Sequence, residues 1–395
     1  MKAVQFGAGN IGRGFLGQLY YESGYETTFV DVDVQLIRTI NARGSYPLRI
    51  EDDETYTVTI GNVRALHAEQ TEEVAAALAA ADLASTAVGV SVLPKIAPLI
   101  AAGIRQRIAR SDALPLNIIV CENMIDGGPY LREQVRPYLP PHLHSAFDLK
   151  IGFVEASIGR MVPVMTDEQK REDPLLVRVE AYGELPVDKA GFKGPIPPLI
   201  NMQPQDNFGA YVERKLFVHN AGHAATAYLG YLRGHRFIWQ AIRDPRVRSE
   251  VELALAESSE ALVRKHGLDR AELDLHTADL LRRFTNSALG DQVDRVARDP
   301  VRKLGPRDRL IGAAQLCVEQ GVRPAHLAFA AAAAMRYDHP QDAAAQVIKA
   351  VYRRDGVRGV CREVCRLSEE SPLIPLIEDG AKRLDKEGWN VDCGA

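Results

Sequence analysis

The sequence predicts an α/β protein, with an N-terminal Rossmann-type doubly wound sheet carrying extra strands and a mostly α-helical C-terminal domain after it. Three observations carry this. Through about residue 200, short β-branched runs alternate with helical segments, the pattern of a parallel sheet wound by crossover helices. A glycine-rich turn follows the first of these runs. Later the composition shifts to alanine, leucine and arginine at helical spacing, which favours helix.

In order, Ala3–Phe6, Thr27–Val30 and Asn117–Val120 read as strands of the sheet. Further strands are expected in 151–157 and 175–183, and a proline-rich stretch runs from Gly194 to Pro204. The boundary is therefore expected near residue 200, with a dinucleotide-binding domain at 1–200 and a helical substrate-binding and catalytic domain at 201–395. Helices are expected at Glu250–Arg264, His326–Met335 and Asp342–Tyr352, and the alanine run Ala328–Ala334 reads as a tightly packed helix.

At 395 residues the chain exceeds one ordinary core, so two domains are expected. Its 48 basic and 52 acidic residues are interspersed, which gives no broad field for nucleic acid and requires any anion site to be local. Five cysteines, at 121, 317, 361, 365 and 393, form no CxxC pair, which argues against a disulfide framework or a zinc site. The first residues read as strand and glycine turn, not as a leader, and no window approaches about 18 uninterrupted apolar residues. A cytoplasmic protein with no membrane or nucleic-acid partner, a monomer or weak dimer, is the expectation.

Gly7-Ala8-Gly9-Asn10-Ile11-Gly12 has the GxGxxG spacing between a strand and a helix. Gly7 makes the tight turn, Gly9 lets the backbone approach a pyrophosphate, and Gly12 permits close packing of helix on strand. The helix N-terminus then offers N–H groups and its positive dipole end to the phosphates. The glycines alone are a weak signal. The following strand, however, ends at Asp31 beside Val32, where a carboxylate would accept the ribose hydroxyls and repel a 2′-phosphate, so NAD is expected over NADP. A tight turn beside a solvated aspartate, or a flavin site, are the competing readings. Thr86, Val88 and Gly89 end another expected strand and suit a loop over the ribose, or an ordinary buried strand end. In Cys121-Glu122-Asn123-Met124, Asn123 is the better candidate, because an amide can donate to an oxyanion without adding charge.

Lys215-Leu216-Phe217-Val218-His219-Asn220-Ala221-Gly222-His223 concentrates the most chemistry. On an α-helix Asn220 and His223 lie about 60° apart and Lys215 about 80° from His223. A lysine among apolar neighbours can lose its proton near neutral pH and act as general base. A solvated surface charge is the competing reading. A zinc pair of His219 and His223 lacks a further ligand nearby, so no metal is expected.

The string K-x4-N-x2-H at Lys215, Asn220 and His223, downstream of GAGNIGRG, resembles the polyol-specific long-chain dehydrogenase/reductase family. Phe29–Asp33, Asn117–Met124, Arg295–Leu304 and Asp308–Leu310 extend the resemblance in order along nearly the whole chain. One departure stands out: Gly159-Arg160-Met161-Val162-Pro163 has glycine where the family usually has aspartate before the arginine. The resemblance implies metal-independent, NAD-linked interconversion of D-mannitol 1-phosphate and D-fructose 6-phosphate. Lys215 would be the acid/base, Asn220 and Asn123 would polarise the reacting oxygen, and His223 would orient a substrate hydroxyl. The sugar phosphate needs cations, and Arg302, Lys303, Arg307 and Arg309 are the densest local group. If that group is only a solvated basic loop, free mannitol or a hexuronate becomes the substrate. A non-catalytic NAD-sensing module is the reading from another class.

Overall fold

The computed structural model describes residues 1–52, 54–110, 112–163, 165, 171 and 173–389, so Cys393 lies outside the described residues. The chain divides into two compact units, Met1–Phe208 and Gly209–Ala395.

The first unit is built on strands β1 (Lys2–Phe6), β2 (Glu26–Asp31), β5 (Val63–His67), β6 (Leu83–Thr86), β7 (Leu116–Val120) and β8 (Ile151–Glu155), between which β3 (Tyr46–Glu51) and β4 (Thr55–Ile60) are inserted. The six run β5-β2-β1-β6-β7-β8, all parallel. The order reverses between β1 and β6, where an open α/β sheet forms its ligand crevice at the strands' carboxyl ends. Side-chain alternation divides the core. Val4, Phe6, Ala84, Ile118 and Val120 pack under the helices Thr71–Ala79, Leu93–Ile108 and Gly127–Val135. Ala3, Leu83, Ile119 and Val154 pack with Phe15, Leu16 and Leu19 on the other face.

The extra strands form two small sheets. β3 and β4 pair antiparallel, and β9 (Val177–Val179) adds parallel to β3. β10 (Leu185–Asp188) pairs parallel with β11 (Met202–Gln205). The proline-rich stretch thus lies inside the first unit, connecting β10 to β11 and ending within β11, and the division falls a little beyond the expected residue 200.

In the second unit every named element is a helix among the described residues. The expected helices lie within Pro245–His266, Ala325–Ala334 and Ala343–Glu363, the last broken at Gly356, where φ is 63° and ψ −158°. Leu327–Ala334 is buried throughout. A Cβ at Gly380 would come within 3.1 Å of the Phe329 Cα, and one at Gly230 within 2.5 Å of the Ala241 Cβ. Small residues therefore serve close helix packing here. Among the described residues no helix is long and apolar enough to cross a membrane.

Candidate active site

The glycine turn sits at the carboxyl end of β1. Gly7 has φ +90°, and a Cβ there would lie 2.5 Å from the Ala87 O, so its lack of side chain is required twice over. A Cβ at Gly12 would lie 1.9 Å from the Gly7 O, whereas at Gly9 it would meet no protein atom within 4 Å. Gly9 is thus small for no packing reason, which fits a backbone that a ligand approaches. Gly12–Leu16 forms a π turn, closed by Gly17 N–H donating to the Gly12 O, before the helix Gly17–Glu22.

Asp31 ends β2, and its carboxylate accepts from the backbone N–H groups of Ala8 (2.7 Å), Val32 (2.7 Å) and Asp33 (3.1 Å). It therefore ties the glycine turn to its own loop, and Val32 beside it is exposed. Behind the turn, buried Arg13 donates to the carbonyls of Ala8 (2.6 Å) and Leu175 (2.5 Å) and lies over the Tyr46 ring. Burial lowers the Arg13 pKa. The sequence reading passed over this residue because an arginine in the glycine string looks like a surface charge.

The loop after β6 joins the same crevice, since Ala87 N–H donates to the Phe6 O. Glu122, not Asn123, turns inward there: it is buried and accepts from the Thr86 hydroxyl (2.6 Å) and the Val88 N–H (2.9 Å). Thr86 spends its hydroxyl on that contact, and Asn123 is exposed. Gly7, Ala8, Asp31, Thr86 and Val88 thus come together. At the end of β8, the Glu155 carboxyl is pushed up to about 7 by burial and by the neighbouring Asp126 and Asp188. No motif had marked it. Arg160 is buried and donates to the Glu180 O (2.8 Å), the Gly14 O (3.1 Å) and the Gln18 Oε1 (2.7 Å). The turn with the family departure is therefore pinned to the first helix by its arginine.

In the second unit, Lys215–His219 is a second π turn, entered from the helix Phe208–Arg214 and continued by Asn220–Leu232. Asn220 N–H donates to the Lys215 O, five residues back. On α spacing these two side chains would stand about 140° apart; the wider turn stacks them on one face. Lys215, Asn220 and His223 are partly exposed, while Phe217, Val218, His219, Ala221 and Gly222 are buried.

His223 Nε2 lies 2.9 Å from Asp291 Oδ2, and the imidazole stacks on Phe284 with centroids 4.9 Å apart and planes 20° apart. Arg295 donates to the other oxygen of Asp291 from Nε (2.7 Å) and Nη2 (2.5 Å). Despite opposing burial, His223 and Arg295 lower the Asp291 pKa. His219 is buried, and burial with Arg283 nearby drives its pKa well below the usual value, so it is neutral. Among the described residues no three His, Cys, Asp or Glu side chains group as a metal site requires.

The basic segment is more structured than a solvated loop. Arg302 donates to Asp299 (3.0 Å) and Asp308 (3.3 Å), and Arg309 donates to Asp308 (2.7 Å). Lys303 is buried with its ammonium against the Arg298 carbonyl, and burial together with Arg309 and Arg302 pushes its pKa down to about 7. Arg302 and Arg307 remain exposed.

Comparison with known proteins matches residues 1–201 to the mannitol dehydrogenase Rossmann domain and 207–374 to the mannitol dehydrogenase C-terminal domain. The chain is 40% identical over 384 residues to mannitol-1-phosphate 5-dehydrogenase of Brevibacillus brevis, covering 97% of this chain and 98% of the relative. It is 39% identical over 389 residues to that of Geobacillus thermodenitrificans, covering 98% and 100%. In fold it is similar to Pseudomonas fluorescens mannitol 2-dehydrogenase, solved as a ternary complex with NAD and D-mannitol, with TM-score 0.75, 17% identity and coverage of 98% and 92%.

Proposed function

The chain belongs to the mannitol dehydrogenase family, an oxidoreductase family, and from that premise we propose that it interconverts D-mannitol 1-phosphate and D-fructose 6-phosphate with NAD. The observation that supports the chemistry is the π turn in which Asn220 N–H donates to the Lys215 O, five residues back, with His223 one turn on. The names of the two bacterial relatives support the phosphorylated substrate.

NAD fits the residues present. Gly9 offers an approach that no packing fills, the helix after it offers N–H groups, and Asp31 keeps acceptor capacity beyond its three backbone donors. Asn10, Ile11, Gly12, Val32, Thr86, Val88, Gly89 and Asn123 complete the proposed cofactor set. When bound, the nicotinamide supplies the acceptor for the hydrogen that leaves carbon with its electron pair. In that direction neutral Lys215 takes the hydroxyl proton. Asn220 donates to the oxygen as charge grows on it, an effect of about 3 kcal/mol for one well-aimed donor; Asn123 is proposed as a second. His223 holds a neighbouring hydroxyl. In reduction, protonated Lys215 returns the proton, so oxidation gains and reduction loses as pH rises through the lysine's titration. Arg302, Lys303 and Arg309 are proposed to hold the phosphate.

The pairing of Arg302 and Arg309 with Asp308 favours a second reading, the same chemistry on an unphosphorylated hexitol or hexuronate. Initial rates of NADH consumption with fructose 6-phosphate and with free fructose separate the two, and a preference for free fructose would sink the phosphate assignment. Lys215→Ala should fold, bind NADH and lose turnover by orders of magnitude; retained activity removes the lysine mechanism.

A further inference from the structure

Resting on that reading of the reaction, we infer that Asp291 is a positioning residue that fixes the tautomer of His223, leaving Nδ1 as a hydrogen-bond acceptor for a hydroxyl of the substrate. An ionised carboxylate only accepts hydrogen bonds. At 2.9 Å from Asp291 Oδ2, the imidazole must carry its hydrogen on Nε2. An imidazole with its single hydrogen on Nε2 has a bare lone pair on Nδ1. Nδ1 forms no hydrogen bond with any described residue.

Four contacts make the arrangement rigid. Arg295 grips the other oxygen of Asp291, and against burial the contacts with His223 and Arg295 together hold the carboxyl below its usual range. The Asp291 backbone carbonyl accepts from the Ile238 N–H at 2.9 Å, and Gln292 beside it bridges to Phe237, so the loop cannot carry the carboxylate away. Phe284 stacks on the imidazole and sets its plane. Asp291 and the His223 side chain are both largely buried, at 9% and 13% exposed, so little water competes for the bond. A hexitol chain is a row of hydroxyl donors, and an acceptor of fixed direction selects the rotamer that presents one of them. The opposite tautomer would present N–H to that hydroxyl and demand a different arrangement.

The tautomer is read directly from the imidazole ¹⁵N shifts of histidine-labelled protein, with His223 assigned by its loss in His223→Gln. The expected wild-type spectrum has Nε2 protonated and Nδ1 bare. Asp291→Asn, nearly the same shape, should turn its amide N–H toward Nε2 and shift the proton to Nδ1. It should lower kcat/KM for the hexitol phosphate by about 10- to 100-fold, the worth of one hydrogen bond to a charged group, with the NADH dissociation constant unchanged. In a His223→Gln background the same substitution should cost nothing more, because its effect passes through the ring. An equal loss in both backgrounds, wild-type kcat/KM in Asp291→Asn, or a wild-type ring protonated on Nδ1 would each overturn the inference. The wild-type spectrum needs neither substrate nor a variant at 291. Absence of hexitol phosphate turnover in the wild type would strike the functional reading, whereas an Nδ1-protonated ring in an active wild type strikes only the role of Asp291.

Discussion

Lys303 is a residue at which burial and the proposed function pull against each other. An ammonium enclosed with two guanidinium neighbours loses its proton near pH 7 instead of above 10. If it holds the sugar phosphate, its charge is present below about pH 7 and is lost as pH rises through that value. The phosphate monoester itself is a dianion above its second pKa of about 6. KM for fructose 6-phosphate should therefore rise between pH 7 and 9, by up to about tenfold per unit once Lys303 is mostly neutral. In Lys303→Met, KM should be high and flat across the same range. A flat wild-type profile removes Lys303 from the phosphate site. The sequence marked this position as one of a basic group, but burial is a tertiary property, and nothing in Arg302-Lys303 distinguishes the exposed side chain from the enclosed one. Asp291 was invisible for a related reason: it lies far along the chain from His223 and belongs to no local motif.

At the scale of elements, the two π turns explain what periodicity could and could not foretell. Applying 3.6 residues per turn to the lysine segment places His223 between Lys215 and Asn220 on one side of the helix but leaves those two about 140° apart. The π turn corrects this, and no sequence signal distinguishes the extra residue from ordinary α spacing. The glycine turn, in contrast, was legible at Gly7 and Gly12, because each of those positions obeys a steric rule that Gly9 does not. Those rules separate two substitutions. Gly12→Ala drives a Cβ against the Gly7 carbonyl, which is backbone and cannot move aside. It should lower stability by about 1–3 kcal/mol or more in urea unfolding. Gly9→Ala meets no protein atom, so its stability should stay within about 1 kcal/mol of wild type, while NADH binding weakens severalfold or more in a fluorescence titration. Equal effects of the two on both measurements would refute the separate tasks given to these glycines.

For the whole molecule, the alternation of strand and helix and the later alanine-rich helices made the architecture readable, since they report burial period directly. The small sheets were harder to locate: β10 and β11 flank a proline-rich stretch that on composition alone reads as a linker. Charge is the remaining whole-molecule property. With 48 basic and 52 acidic residues the chain has no large net field, so its two proposed anion sites must work at short range. They do so by different means. The glycine turn would offer backbone N–H groups to the dinucleotide, since the nearby guanidinium of Arg13 is occupied by carbonyls. The sugar phosphate would depend on side-chain cations, of which Arg302 is exposed and already shared with Asp299 and Asp308. Salt shortens the Debye length from about 10 Å at 0.1 M to about 3 Å at 1 M and competes with phosphate for such exposed groups. Raising sodium chloride from 0.05 to 0.5 M should therefore raise KM for fructose 6-phosphate severalfold and leave the slower reaction with free fructose unchanged. The NADH dissociation constant should change less than the former. A fructose 6-phosphate KM indifferent to salt would mean that the phosphate is held elsewhere than on the exposed arginines of this loop.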